Sequence, residues 1–150
     1  MRAIRIPVDS AQPLEEVTLP DVVEGNALPL INDIRLKLAA DFEIVRTRQL
    51  HALLHGEQQG WTRYPTIAML VDEDGWRHGL TLNVRATCFY DGQVVGDALL
   101  MGEIQVDGAG DISSLPDIIT IEQVQKMIET LSGKPRPNSE ETVGQDVEPR

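Results

Sequence analysis

Three histidines and one cysteine hold most of the chemistry this sequence offers. His51 and His55 stand at i and i+4, which places two imidazoles on one helical face and suits a transition metal, with His78 as the candidate third ligand. The stretch reads His51-Ala52-Leu53-Leu54-His55, without the glutamate beside the first histidine that a zinc protease needs. Solvated or core-edge histidines are therefore the expectation, and no metal is assigned. Asp72-Glu73-Asp74-Gly75 has the form of an opening calcium loop, but Trp76 falls where the next oxygen ligand belongs and Asn83 where the closing glutamate belongs. A charged turn explains the same residues. Cys88 could serve as a nucleophile beside a histidine, yet it sits between Thr87 and Phe89 in an apolar stretch where a buried, inert thiol is the usual case. Asp91 and Asp97 could share acid and base work, although turn carboxylates are common and no partner for them is legible. Asn83, Thr87, Cys88 and Asp97 form the candidate pocket. No catalytic residue and no cofactor is assigned.

The elements that position these groups follow from hydrophobic spacing. Arg2-Ala3-Ile4-Arg5-Ile6 alternates and stops at Pro7, predicting a first strand, and residues 14–19 predict its hairpin partner. Asn26 is placed to cap a helix that carries Leu30, Ile31, Ile34 and Leu38 on one face, with Pro29 in its first turn, ending near residue 40. Phe42-Glu43-Ile44-Val45 resumes the strand period and is expected beside the first strand. A short helix is expected over residues 48–55, then a loop. The continuous apolar run Ile67 to Val71 predicts a central strand covered on both faces. Asp74-Gly75 predicts a tight hairpin turn with residues 76–82 pairing back. Asn83 is placed to cap one helical turn, Val94 to Ile104 reads as a strand bent at Gly96 and Gly102, and Asp107-Gly108 marks a further turn. Thr120 and Gln123 have capping-box form ahead of Ile121, Val124, Met127, Ile128 and Leu131, with Gly133 and Pro135 as the stop.

The totals bound what this architecture is used for. A chain of 150 residues, 41% of them hydrophobic, suits one core. The expectation is a single α+β domain over residues 1–132, mostly antiparallel with two main helices, and a disordered polar tail over residues 133–150. The net charge is −11; the tail holds three basic and four acidic residues, so −10 belongs to the body. That field disfavours nucleic acid and anionic membranes, so neither is expected as a partner. No apolar run approaches a membrane span, the N-terminus lacks a secretory leader, and the lone cysteine cannot form an internal disulfide, so a cytoplasmic setting is expected.

Five motifs in order resemble a family of small proteins from phages, plasmids and bacterial mobile elements catalogued as a domain of unknown function. They are Met1 to Pro7, Phe42 to Val45, Val71 to Gly75, Asn83-x-x-Ala86-Thr87 and Val94 to Asp97, spanning residues 1–102. The chain departs from the family at Ala39-Ala40-Asp41, where glycines are usual, and residues 49–64 look like an enlargement. The resemblance implies an accessory gene product and supplies no activity or site residues. Together with the missing catalytic set, it leads to a non-enzymatic protein that binds a host or phage protein, with self-association left open. Two alternatives stand beside it: an acidic mimic of nucleic acid, and a small enzyme or ligand-binding domain with a pocket near Asn83 and Cys88.

Overall fold

Alternating side chains build one antiparallel sheet whose two faces are covered unequally. The structure, a computed structural model, describes residues 1–39, 41–56, 65–79, 81–106 and 109–133. Strands β1 (Arg2–Ile6), β2 (Glu15–Thr18), β3 (Phe42–Val45), β4 (Thr66–Asp72), β5 (Ala98–Val106) and β6 (Ala109–Ser113) belong to a six-stranded sheet. The order across it is β2-β1-β5-β4-β3, and β6 pairs with the far half of β5, in line with β1. The helices are α1 (Leu28–Leu38), α2 (Arg48–His55), α3 (Val84–Thr87) and α4 (Ile121–Ser132). The α+β class and the antiparallel sheet are as the sequence predicts. α2 makes a third substantial helix beside the two expected.

The period of two decides what each face carries. Ile4, Ile6, Ile67, Met69, Val71, Ala98 and Leu100 point to one side, where Leu50 of α2, Phe89, and Val124 and Ile128 of α4 close over them. Ala3, Leu70, Leu99 and Met101 point to the other, which α1 covers with Leu30, Ile34 and Leu38 at successive turns. Both faces are sealed, so β4 is buried along its whole length. Thr120 accepts from the Gln123 amide while Gln123 answers the Thr120 amide, the capping box that starts α4.

Four local expectations are corrected. Residues 73–79 form a run of turns instead of a tight hairpin, and Leu82 makes its bridge to Val95, so the described residues of 76–82 do not pair back on β4. A Cβ on Gly75 would lie 2.0 Å from Val95 Cγ2, so that glycine marks close packing; its φ is not positive. β3 pairs with β4 at the edge opposite β2, far from β1, because α1 carries the chain across the sheet first. The N-cap of α1 is Ala27 without a side-chain cap, while Asn26 Oδ1 accepts from the Leu28 amide one position early. The middle strand is β5, with β4 interior beside it. The expected loop from Gly56 to Gly60 lies, beyond Gly56, outside the described residues, as do the Asp107-Gly108 turn and the tail from residue 134.

Gly102 shows how tightly β5 is held. A Cβ there would stand 2.4 Å from the Ser114 carbonyl oxygen, a backbone atom that cannot swing aside. Gly102→Ala is expected to lower unfolding stability by about 2 kcal/mol in urea denaturation, the usual range for overpacking a filled interior. An unchanged midpoint would show that the segment after β6 yields freely.

Candidate functional site

Asn83, Thr87, Cys88 and Asp97 do come together, but as a clasp. Asn83 is fully buried; its Oδ1 accepts from the Ala86 amide at 3.0 Å, capping α3, and its Nδ2 donates to the Ile6 and Gly96 carbonyls at 2.9 Å each. Thr87 Oγ1 accepts from the Val94 amide at 3.0 Å, and Cys88 Sγ donates to the Arg85 carbonyl at 2.9 Å. Asp97 accepts from the Val8 amide at 2.8 Å and from Arg5 Nε at 3.0 Å. The end of β1, α3 and the approach to β5 are thereby tied to one another. Polar atoms spent on backbone partners are not available to a ligand, so the pocket expectation is replaced by a structural one.

The histidines divide between two places. His51 and His55 share a face of α2 with ring centroids 4.5 Å apart, His51 buried with Nδ1 3.4 Å from Thr66 Oγ1 and His55 Nε2 2.6 Å from the Pro65 carbonyl. His78 instead meets Asp72, Nδ1 to Oδ2 at 2.9 Å. Thr66 and Asp72 are the two ends of β4, about 20 Å apart at strand rise, so His78 cannot complete a site with the other two. Among the described residues no three His, Cys, Asp or Glu side chains gather as a metal would need. Asp72 Oδ1 accepts from the Asp74 amide at 2.8 Å, which makes the supposed calcium loop a turn closed by its own first carboxylate. Asp91 and Asp97 are not paired: Gln49 approaches Asp91 at 3.5 Å, while Asp97 is held by Arg5.

A cleft that the sequence does not predict lies at the Asp72 end of the sheet. Phe42 and Asp72 are directly opposite across β3 and β4, and so share the face that α1 covers. There Ile31 and Arg35 of α1, Asp41 and Phe42 at the start of β3, and Glu73 after β4 line an open cleft of about 330 Å³, at the lower end of small-ligand sites. Arg35 Nε pairs with Asp41 Oδ1 at 2.8 Å, and the Glu73 amide donates to the Asp41 carbonyl at 3.1 Å, fixing the rim. The Asp72 carboxylate is 2% exposed and the His78 ring 48% exposed, so a buried acid holds an imidazole that faces water. The only signal in the sequence is an aspartate that closes an apolar strand with a histidine six residues on.

Among the described residues, carboxylates on several elements are paired with cations. Asp33 is bound by Lys37, Asp41 by Arg35, Asp97 by Arg5, Glu16 by Arg2 and Glu103 by Arg46. Carboxylates paired in this way present less bare charge than a run of phosphates, which counts against a nucleic-acid mimic at those positions. Among the described residues no helix is long and apolar enough to cross a membrane.

No protein-family model matches the chain, and no curated protein matches it. A solved structure does: the small RNA methyltransferase HEN1, with a TM-score of 0.56 and 15% identity, over 88% of this chain and 17% of that one. At that identity the likeness speaks for the fold, and this chain spans only a small part of the methyltransferase's length. It nonetheless corrects the functional expectation. A fold that recurs inside a long methyltransferase chain does not mark a non-enzymatic accessory protein of a phage or mobile element that binds a host or phage protein, and that reading is withdrawn.

Proposed function

We propose that the chain is a small-molecule-binding domain whose site is the cleft between α1, β3 and the end of β4, and that its ligand is an organic ammonium on a short apolar body. One observation carries this reading: the cleft sets apolar Ile31 and Phe42 beside the carboxylates of Asp41 and Glu73. Arg35 offsets Asp41, so the cleft keeps one net negative charge inside a protein of net charge −11. That field concentrates cations at its surface. An apolar body supplies the area and the ammonium fixes its orientation, the division of labour usual in such clefts. The cleft is open, so binding of about 0.1 to 1 mM is expected. Kinship with the mobile-element family rests on the order of its motifs over residues 1–102; it stays a proposal that assigns no activity.

Titration with 2-phenylethylamine followed by NMR tests the reading. Resonances of Phe42 and Glu73 should move together and saturate, and Glu73→Gln should weaken binding by about two- to fivefold, the range of an exposed ion pair. N-acetylation of the probe, which removes its charge, should weaken it further. Equal binding of the acetylated probe, or no response at Phe42, overturns the proposal.

A further inference from the structure

We propose that the outer face of α1 is an interface for a second copy of this chain, packed antiparallel about a twofold axis at Asn32. Leu30, Ile34 and Leu38 turn to the sheet and are buried. Leu28, Asn32 and Leu36 each stand two residues earlier, about 200° around the helix, and so form a ridge on its far side. There Leu28 is 61% and Leu36 78% exposed. A helix that is apolar on both faces has a second surface to cover.

The layout of the ridge points to its own copy as the partner. Leu28 and Leu36 lie four positions either side of Asn32. In an antiparallel pair centred there, Leu28 meets the partner's Leu36 and Leu36 meets the partner's Leu28, the self-complementarity that a twofold contact requires. An amide both donates and accepts, so Asn32 can bond its counterpart on the axis, as a central asparagine does when it fixes the register of paired helices. The two ends of α1 also differ in charge. Asp21 and Glu24 lie exposed ahead of it, and Arg35 and Lys37 occupy its last turn. Antiparallel packing sets each acidic approach beside a basic end and opposes the helix dipoles, whereas parallel packing sets like ends together. Arg35 and Lys37 also hold Asp41 and Asp33 of their own chain, so charge sets the orientation and the leucines supply the attraction. One helix face covers less than the roughly 800 Å² per partner of a stable complex, and two bodies of net charge −11 repel. The dimer is therefore weak, with Kd of about 0.1 to 1 mM.

Sedimentation equilibrium of the full chain from about 10 µM to about 1 mM spans that range and tests the proposal. The apparent mass should climb from that of one chain towards that of two. Leu36→Asp should weaken association at least about tenfold, with thermal unfolding unchanged because the side chain is exposed. Ile118→Asp, at a position 63% exposed and off the ridge, should leave association as it is. Disulfide trapping under mild oxidation reads the orientation. An equal mixture of Leu28→Cys and Leu36→Cys chains should cross-link, while neither variant does so alone. A ridge covered within one chain, or left bare, gives a monomer at every concentration and overturns the proposal. So does association that Leu36→Asp leaves intact, or Leu28→Cys cross-linking to itself, the mark of parallel packing.

Discussion

Replacing Asn83 with leucine should lower the unfolding free energy by about 4 kcal/mol and the thermal midpoint by about 12 °C. The side chain has no exposed area and satisfies three backbone groups at once: the Ala86 amide, and the Ile6 and Gly96 carbonyls. Loss of the cap alone is worth about 1 kcal/mol. The larger part comes from the two carbonyls, which stay buried when their donor is gone and cost about 1 to 3 kcal/mol each. Asn83→Asp separates the two roles. Aspartate caps a helix as well as asparagine does, so a capping role alone predicts little change. In the clasp its second oxygen would face two carbonyl oxygens, so aspartate should be as harmful as leucine. Equilibrium unfolding in urea decides the matter, and an aspartate variant of wild-type stability would reduce Asn83 to a cap.

The same residue shows where sequence reading reached and where it stopped. Asn83 ahead of Val84 to Thr87 is legible as a cap because capping is a contact between residues three apart. Its bonds to Ile6, 77 positions away, depend on how strands are ordered in space, and no local pattern encodes that. The capping box at Thr120, the faces of α1 and the buried run of β4 were legible for the same reason: each is set by spacing within one element. Strand order was not. Phe42 to Val45 reads equally well beside β1 or β4, since alternation fixes the face of a strand and leaves its neighbour open. The cleft was out of reach because its walls come from α1, β3 and the turn after β4. His78 stood among the metal candidates by residue type. Its partner Asp72 stood in a supposed calcium loop, and only the turn over residues 73–79 brings them together.

Arg46→Ala should cost about 3 kcal/mol, a loss out of proportion to a side chain that is 44% exposed. The reason is its partner. Glu103 lies on the interior strand β5, opposite Thr66 on one side and Ile112 on the other, and its carboxylate is fully buried. Arg46 Nε reaches both carboxylate oxygens at 2.8 Å, and Nη2 adds a further bond. Without the guanidinium a charge remains in a place that water does not hydrate, and such groups cost several kcal/mol when one partner is removed. The exposure of Arg46 places the estimate at the low end, since water can enter the space it leaves. Glu103→Leu takes away the buried charge and leaves an arginine that water can solvate, so it should cost about 1 kcal/mol or less. The double variant Arg46→Met, Glu103→Leu should also stay within about 1 kcal/mol of wild type, because the pair's attraction roughly offsets its desolvation. The ordering is the test: urea unfolding of the three variants must place Arg46→Ala well below the other two. A cost for Arg46→Ala under 1 kcal/mol would mean that Glu103 finds water or another donor, and that this ion pair behaves as an ordinary surface contact.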